Sequence, residues 1–403
     1  MNSRAAARSA ARNAGSIEGE IAEQSDAGKA KGVRFVSAHL HPGSGAWVQI
    51  RCNEPDPVRR SDKPASAVRR EVEAHTGDVK KEGPKKVKAV AKKTSRQGTK
   101  DSAPPPVPPL RDEVAGVRLS NPGRVYYPDV GVTKSELAQY WETVAERALP
   151  GLRRRPLSLV RCPDGVDKKA FFQKHAAASM PKQVGRVAIN PGEEPYAMVN
   201  DLSSVIALVQ LGVIEFHPWG SRADAIEKPD LFILDLDPHE SVPWRRLAET
   251  AVVLRVFLQD LGFVPFLRTT GGKGLHVVVP LVRRWGWEEI KSFTHSIALR
   301  LVHEAPKQFT AEIPKAKRTG RILIDYLRNQ RDATAIASYS PRARPGAPVA
   351  IPLDWDELDP GGKPLGWNVR NAHERLAAPD PWADFEASRR PLAKKTLDLV
   401  HVD

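Results

Sequence analysis

Cysteine is almost absent from this 403-residue chain, which holds only Cys52 and Cys162. Two cysteines exclude a disulfide framework and a cysteine-rich zinc module, and they fit a reducing, intracellular setting. Long apolar runs are missing too. No stretch approaches the roughly 18 residues that a bilayer span needs, which excludes an integral membrane protein of the helical kind. Acidic residues fall short of basic ones, 48 against 62, for a net charge of +14. Proline is abundant, and five prolines among residues 104–109 exclude one continuous globule from end to end. What remains is 41% apolar and 27% charged, enough to build a core over a length that suits about two domains.

The positive excess is unevenly placed. Residues 1–110 carry 21 Lys+Arg and 12 Asp+Glu, whereas the following 293 carry 41 and 36. From Val79 to Lys100 there are nine basic residues and a single acid, Glu82. The proline cluster that follows favours polyproline II. Residues 79–112 read as a basic linker, either a solvated tether or an arm that neutralises phosphates by counterion release. The first 30 residues are rich in Ala, Ser and Arg and have no acid before Glu18; they read as a disordered terminus rather than a transit peptide. Residues 33–52 have the pattern of two short strands that bury too little to fold alone. The expected division is a mostly disordered, low-complexity region over 1–112 and a folded domain over 113–403.

Past the prolines, strand and helix patterns alternate. Thr133 and Glu136 form a capping box ahead of Leu137, Trp141, Val144 and Ala148 at helical spacing. Asp201 caps a helix that ends at Gly212. A third helix is predicted over 243–261, stopped by Gly262, and a fourth over 287–304. Strands are predicted at 157–162, 170–173, 213–216, 231–237, 264–269, 275–281 and 321–327. The hairpin at 264–281 requires antiparallel pairing. The fold class is therefore α+β, a mixed and largely antiparallel sheet with flanking helices.

Three acids on strands carry chemistry. Asp235 and Asp237 are two apart, so on a strand they point to one face, where they repel unless a cation lies between them. A bare Asp-x-Asp also marks sugar transferases and phosphatases, and it can be a strand end running into a polar turn. Asp325 lies between Ile324 and Tyr326, where an unpaired carboxylate is costly. It either completes a two-metal site for phosphoryl displacement or pairs with Arg321 or Arg328. Thr269-Thr270-Gly271-Gly272-Lys273-Gly274-Leu275-His276 follows one strand and opens another. Lys273 is followed by glycine rather than Ser or Thr, so this is not a Walker loop. Its backbone amides, with Thr270, Lys273 and His276, suit a triphosphate cradle between strands, the alternative being a tight hairpin that simply needs glycine. Arg328, Arg331, Arg342 and Arg344 surround Tyr339-Ser340-Pro341 and offer guanidinium donors.

Taken together, DLDP at 235–238, TTGGKGLHVVVPL at 269–281 and the segment 324–355 from Ile324 to Trp355 resemble the polymerase domain of bacterial DNA ligase D. That domain belongs to the archaeo-eukaryotic primase superfamily and serves non-homologous end joining. The resemblance runs from about Val117 to Val400 and implies a primase-polymerase fold. It implies that Asp235, Asp237 and Asp325 are catalytic and bind two Mn2+ (or Mg2+) ions. It further implies that Thr270, Lys273, His276, Arg328 and Arg342 hold the triphosphate of an NTP or dNTP. Phe172 and Lys174, in Phe171-Phe172-Gln173-Lys174-His175, would meet the nucleotide, and His217 would lie near its sugar. Arg124 and Lys134 resemble a pocket for a DNA 5′-phosphate, with Arg124 where lysine is common.

The expected activity is template-directed gap filling and end extension with ribonucleotides favoured, in double-strand-break repair. Expected partners are DNA with gaps or ends carrying a 5′-phosphate, an end-binding Ku protein and a separate ligase, without a membrane, in the bacterial cytoplasm at the nucleoid. No Lys-x-Asp-Gly ligase motif occurs, and the single His-x-Asp, at 401–403, does not make a phosphoesterase cluster, so neither activity is expected. Asp62-Lys63-Pro64-Ala65 through Glu71 resembles the tail of a ligase OB-fold module, which makes 33–75 a candidate relic. The rival readings are a non-catalytic DNA-end-binding module, a primer-independent primase and, for Asp-x-Asp alone, a metal-dependent glycosyltransferase.

Overall fold

The computed structural model describes residues 108–362, 366–394 and 396. The basic linker up to residue 107, the paired strand patterns at 33–52 and the candidate relic at 33–75 lie outside the described residues.

The described chain opens with two small ribbons, β1 (Glu113–Val114) with β2 (Val117–Arg118) and β3 (Val125–Tyr127) with β4 (Val132–Thr133). Helix α1 (Lys134–Leu152) starts at the expected capping box. Thr133 accepts from the Glu136 amide, and Glu136 accepts from the Thr133 amide at 2.7 Å. There follow β5 (Leu157–Arg161), β6 (Phe171–Gln173), β7 (Gly185–Val187), β8 (Tyr196–Met198), α2 (Leu202–Gln210) and β9 (Val213–Pro218). The second half holds β10 (Leu231–Pro238), α3 (Trp244–Asp260), β11 (Phe266–Thr269), β12 (Leu275–Pro280), α4 (Trp287–Glu304), β13 (Phe309–Thr310), β14 (Ile322–Asp325) and β15 (Pro352–Leu353).

The larger sheet has six strands in the order β13-β14-β10-β12-β11-β15. Only β13 and β14 run parallel, so the sheet is mixed and largely antiparallel as expected. The period of two sorts its residues. Phe232, Leu234 and Leu236 of β10 pair with Val279, Val277 and Leu275 of β12, and all are fully buried. This apolar layer shares one core with Leu247, Ala251, Leu254 and Leu258 of α3 and with Ile290, Phe293 and Ile297 of α4. Phe232 meets Phe263 and Phe293 edge-on at 5.6 Å each. Burial of each such side chain stabilises by about 1.5–3 kcal/mol. The opposite face is left to the acids.

The second sheet runs β6-β5-β8-β7, with β9 also pairing β5. Helix α1 lies against it through Trp141, whose ring sits 4.9 Å from Phe216 of β9. The sheets are joined at segment 337–340: the Ala337 amide donates to Phe216 O, and Ser340 Oγ accepts from the Phe216 amide. At the other end of β9 and β10 sits Asp230, which takes Arg155 in a two-pronged pair at 2.7 and 2.8 Å and also accepts from Arg222 and Arg389.

Candidate active site

Register brings the acids together. Asp235 of β10 pairs with Asp325 of β14 on one side and with His276 of β12 on the other, and His276 pairs with Arg268 of β11. Asp325, Asp235, His276 and Arg268 thus form one row across four strands, on the face opposite the apolar layer. Asp237 stands on the same face two residues further along β10. The strand expected over 321–327 is shorter than predicted. Asp325 Oδ1 accepts from the Leu327 amide at 2.9 Å, and the chain turns into a short 3-10 helix at Leu327–Asn329. That turn aims Arg328 back at the acids.

Each carboxylate has a cationic neighbour. Arg328 Nε lies 3.2 Å from both Asp235 Oδ2 and Asp325 Oδ2. Asp237 receives Arg318 at 3.0 Å and faces Lys273 at 3.8 Å. Burial alone would raise the Asp235 carboxyl, but His276 and Arg328 outweigh it and hold it down to about 2. Burial raises the Asp325 carboxyl, against the pull of Arg328. The two acids therefore differ although they face each other: His276 and Arg328 both favour the Asp235 charge, whereas that charge adds to burial in raising Asp325. His276 is pushed down to about 4 by burial and is a neutral ring. Its Nε2 sits 3.5 Å from Asp235, and its Nδ1 accepts from Arg268 Nε and Nη2 at 3.1 and 3.0 Å. Arg268 is itself enclosed, and burial lowers it to about 9.

The glycine loop lies between β11 and β12. Gly271 takes φ +64°, and a side chain there would meet Arg342 Cγ at 2.7 Å. A Cβ at Gly274 would meet the Leu236 carbonyl at 2.7 Å, between the two acids of β10. The loop can approach β10 only because that position is bare. Thr270 donates to Gly274 O at 3.2 Å, and Lys273 is half exposed beside Asp237.

The second sheet supplies another cluster. Phe172 is 54% exposed, and its ring lies 6.2 Å from His217 in an edge-on contact. His217 Nε2 is 2.8 Å from Glu215 Oε2. Arg342 Nε is 3.1 Å from Glu215 Oε1, and Arg342 Nη1 donates to Thr270 O at 2.6 Å. Contacts thus run from Phe172 through His217, Glu215 and Arg342 to Thr270 of the glycine loop. Lys174 is exposed just past β6. Arg124 directly precedes β3 and Lys134 opens α1. Arg124 donates to Pro163 O at 2.8 Å and contacts Asp164 at 3.2 Å. Lys134 is buried, with Nζ donating to Ser120 O, Gln210 O and Gln210 Oε1. Burial, then the neighbouring Arg124, lowers its pKa.

Three functional neighbours escape sequence reasoning: Arg268, Glu215 and Arg318. Arg268 and Glu215 each interrupt an apolar strand, FLRT and VIEFHP, and a charge in such a strand is the signal that marks them. Arg318 follows Lys315-Ala316-Lys317 and reads as solvated surface, with nothing to connect it to Asp237. On the acid-bearing face the sheet also borders a cavity of about 270 Å³ lined by Arg155, Trp219, Ile233, Arg268, Arg328 and Trp382.

Among the described residues, no three His, Cys, Asp or Glu side chains are gathered as closely as one metal ion requires. The donor chemistry nevertheless fits a hard divalent ion, because Asp235 and Asp325 converge on one positive centre with oxygen atoms only. Also among the described residues, no helix is long and apolar enough to cross a membrane.

Comparison with known proteins agrees with this arrangement. The family model of the LigD primase-polymerase domain matches residues 133–382, which include every site residue named above except Arg124. The multifunctional non-homologous end joining protein LigD of Pseudomonas aeruginosa is 40% identical over 309 residues, covering 73% of this chain and 37% of that protein. LigD of Mycobacterium tuberculosis is 34% identical over 287 residues, covering 66% of this chain and 38% of that protein. The chain thus spans well under half the length of these relatives. The solved polymerase domain of Mycobacterium tuberculosis ligase D, in complex with DNA, superposes with a TM-score of 0.63 at 31% identity, over 68% of this chain and 99% of that one. By motif, by fold and by sequence match, the chain belongs to the family of LigD primase-polymerase domains.

Proposed function

We propose that this protein is a template-directed nucleotidyltransferase that fills short gaps and extends ends at DNA double-strand breaks. The observation that carries the proposal is the single row of Asp325, Asp235 and His276 across three strands, with Asp237 on the same face and the glycine loop beside it. Asp235, Asp237 and Asp325 would hold two manganese or magnesium ions. Such ions supply charge neutralisation and an acidified primer 3′-hydroxyl at the α-phosphate, the usual service of paired metals in phosphoryl transfer.

The chain's own residues do the positioning. Lys273, Arg342 and the loop amides bind the triphosphate, whose charge is spread over the oxygens they reach. His276 is neutral with Nδ1 occupied by Arg268, so Nε2–H is a fixed donor aimed at the acid row. Arg328 holds Asp235 and Asp325 at one point and stabilises their charges there. Phe172 offers an exposed ring face for a base, and Lys174 adds charge near it. Arg124 presents a guanidinium for a 5′-phosphate. Lys134, tied to three oxygens, supports that pocket with its charge and props the ribbon beneath it. An end-binding Ku protein and a separate ligase are the expected partners of such an enzyme. An end-binding module without catalysis would have no use for the acid row.

The test is extension of a labelled primer on gapped DNA with a downstream 5′-phosphate, in manganese, with ribo- or deoxyribonucleotides. Wild type extends and Asp235→Ala/Asp237→Ala does not. If wild type fails to extend while both proteins bind the phosphorylated gap equally, the protein is an end-binding module and the proposal is wrong. Extension of a template that carries no primer would instead make it a primase.

A further inference from the structure

Glu215 is a buried carboxylate in the middle of β9, two residues before His217 and on the same strand face. Both of its oxygens are engaged. Oε1 accepts from the Ala343 amide at 2.8 Å, and Arg342 Nε stands 3.1 Å from it, off the hydrogen-bond line, as a neighbouring charge. Oε2 is 2.8 Å from His217 Nε2. Burial by itself would raise the Glu215 carboxyl; the bond to His217 and the charge of Arg342 outweigh it and hold it down to about 2. An ionised carboxylate only accepts, so the hydrogen between the two groups belongs to the imidazole. Burial lowers the pKa of His217, which leaves a neutral ring with its one hydrogen on Nε2. Its Nδ1 is then a bare lone pair with no bond to any described residue, and the Phe172 ring lies beside it at 6.2 Å between centroids.

We propose that Glu215 is a positioning residue that makes His217 a hydrogen-bond acceptor for the ribose 2′-hydroxyl, and so sets a preference for ribonucleotides. The inference rests on the reading above, in which the incoming nucleotide lies between Phe172 and the acid row with its sugar at His217. A 2′-hydroxyl donates into the Nδ1 lone pair, and a deoxyribose has nothing to donate. The same carboxylate seats Arg342, whose Nη1 donates to Thr270 O, so the sugar and the triphosphate are gripped from one anchor. Changing Glu215 to glutamine reverses the logic. The Ala343 amide still claims an oxygen, which turns the new NH2 toward His217 Nε2. The ring must then accept there and carry its hydrogen on Nδ1.

The experiment is single-nucleotide incorporation into gapped DNA, with 2′-hydroxyl, 2′-amino, 2′-deoxy and 2′-fluoro forms of one triphosphate. In wild type, the two donating groups should show a KM about three- to tenfold below the two that cannot donate, the worth of one neutral hydrogen bond. The kcat values should stay together. In Glu215→Gln the 2′-fluoro form, which can only accept, should gain on 2′-deoxy, whereas 2′-hydroxyl and 2′-amino, which both donate and accept, keep their place. A wild type that extends all four forms alike would overturn the inference and leave the polymerase reading standing. No extension with any form would overturn the polymerase reading and this inference with it. A Glu215→Gln enzyme that still treats 2′-fluoro and 2′-deoxy alike, as wild type does, would remove Glu215 from the role. If that variant does not fold, the 15N resonances of the His217 ring in wild type decide the matter. A protonated Nε2 supports the proposal, and a protonated Nδ1 overturns it.

Discussion

Asp230 directly precedes the strand that carries Asp235 and Asp237, and its replacement by alanine should unfold the domain more readily than any single change at the site. The side chains of Asp230 and Arg155 are shut away, at 0% and 2% exposure. Arg222 and Arg389 also reach Asp230 but remain partly exposed and share Glu386. When the carboxylate is removed, those two can turn to Glu386 and water, whereas Arg155 keeps an uncompensated buried charge. Breaking one partner of such a pair costs about 3–5 kcal/mol, a large share of a total that is typically 5–15 kcal/mol. Urea unfolding followed by circular dichroism measures it. Adding Arg155→Met removes the stranded charge and should recover more than half of the loss, because replacing a whole buried ion pair by apolar groups is often neutral.

The same group predicts a pH dependence. Burial alone would raise the Asp230 carboxyl, but Arg155, Arg222 and Arg389 outweigh it and hold it down to about 2, against an ordinary value near 3.8. A depressed carboxylate contributes stability that is full above its unfolded value and fades as pH falls toward about 2, roughly 2 kcal/mol in all. Asp230→Asn should therefore lose stability at pH 7 and show a flatter profile between pH 5 and 2. A loss below about 1 kcal/mol for Asp230→Ala with an unchanged m-value would refute the reasoning, as would a double variant no better than the single one.

Two further outcomes follow from the site. Gly274→Ala should cost about 1–3 kcal/mol by overpacking and should lower extension more than stability, since its Cβ would press the Leu236 carbonyl between Asp235 and Asp237; a fully active variant in primer extension would show that the loop yields instead. Phe172→Ala should leave the melting temperature within a few degrees because the ring is half exposed, yet should raise the KM for nucleotide about tenfold, the scale of one stacked base; an unchanged KM would remove Phe172 from the nucleotide site.

Much of the molecule was legible before any coordinates. The capping box at Thr133 and Glu136, the Asp-x-Asp strand and the glycine hairpin are written in residues that interact within a few positions of one another, so local spacing specifies them. The three acids were legible as carboxylates on strands, and the resemblance added the role it implies for them and the family. The short strands β7, β8, β13 and β15 escaped notice, because two or three residues carry too little periodicity to be read.

The sequence by itself determined which faces are apolar, where helices begin and stop, and that Asp235 and Asp237 share a side. Only the tertiary structure decided what those acids meet. The spacing of Asp325 allowed either a metal or an ion pair with Arg321 or Arg328, and the turn after β14 delivers Arg328. Thr133-Lys134 read as a phosphate grip, yet packing of α1 against α2 places the ammonium on the oxygens of Ser120 and Gln210. Glu215, Arg268 and Arg318 acquire their meaning only from strand register and loop closure. Those contacts join residues far apart in the chain, whose partners no local pattern can name, because they are set by how two whole sheets align.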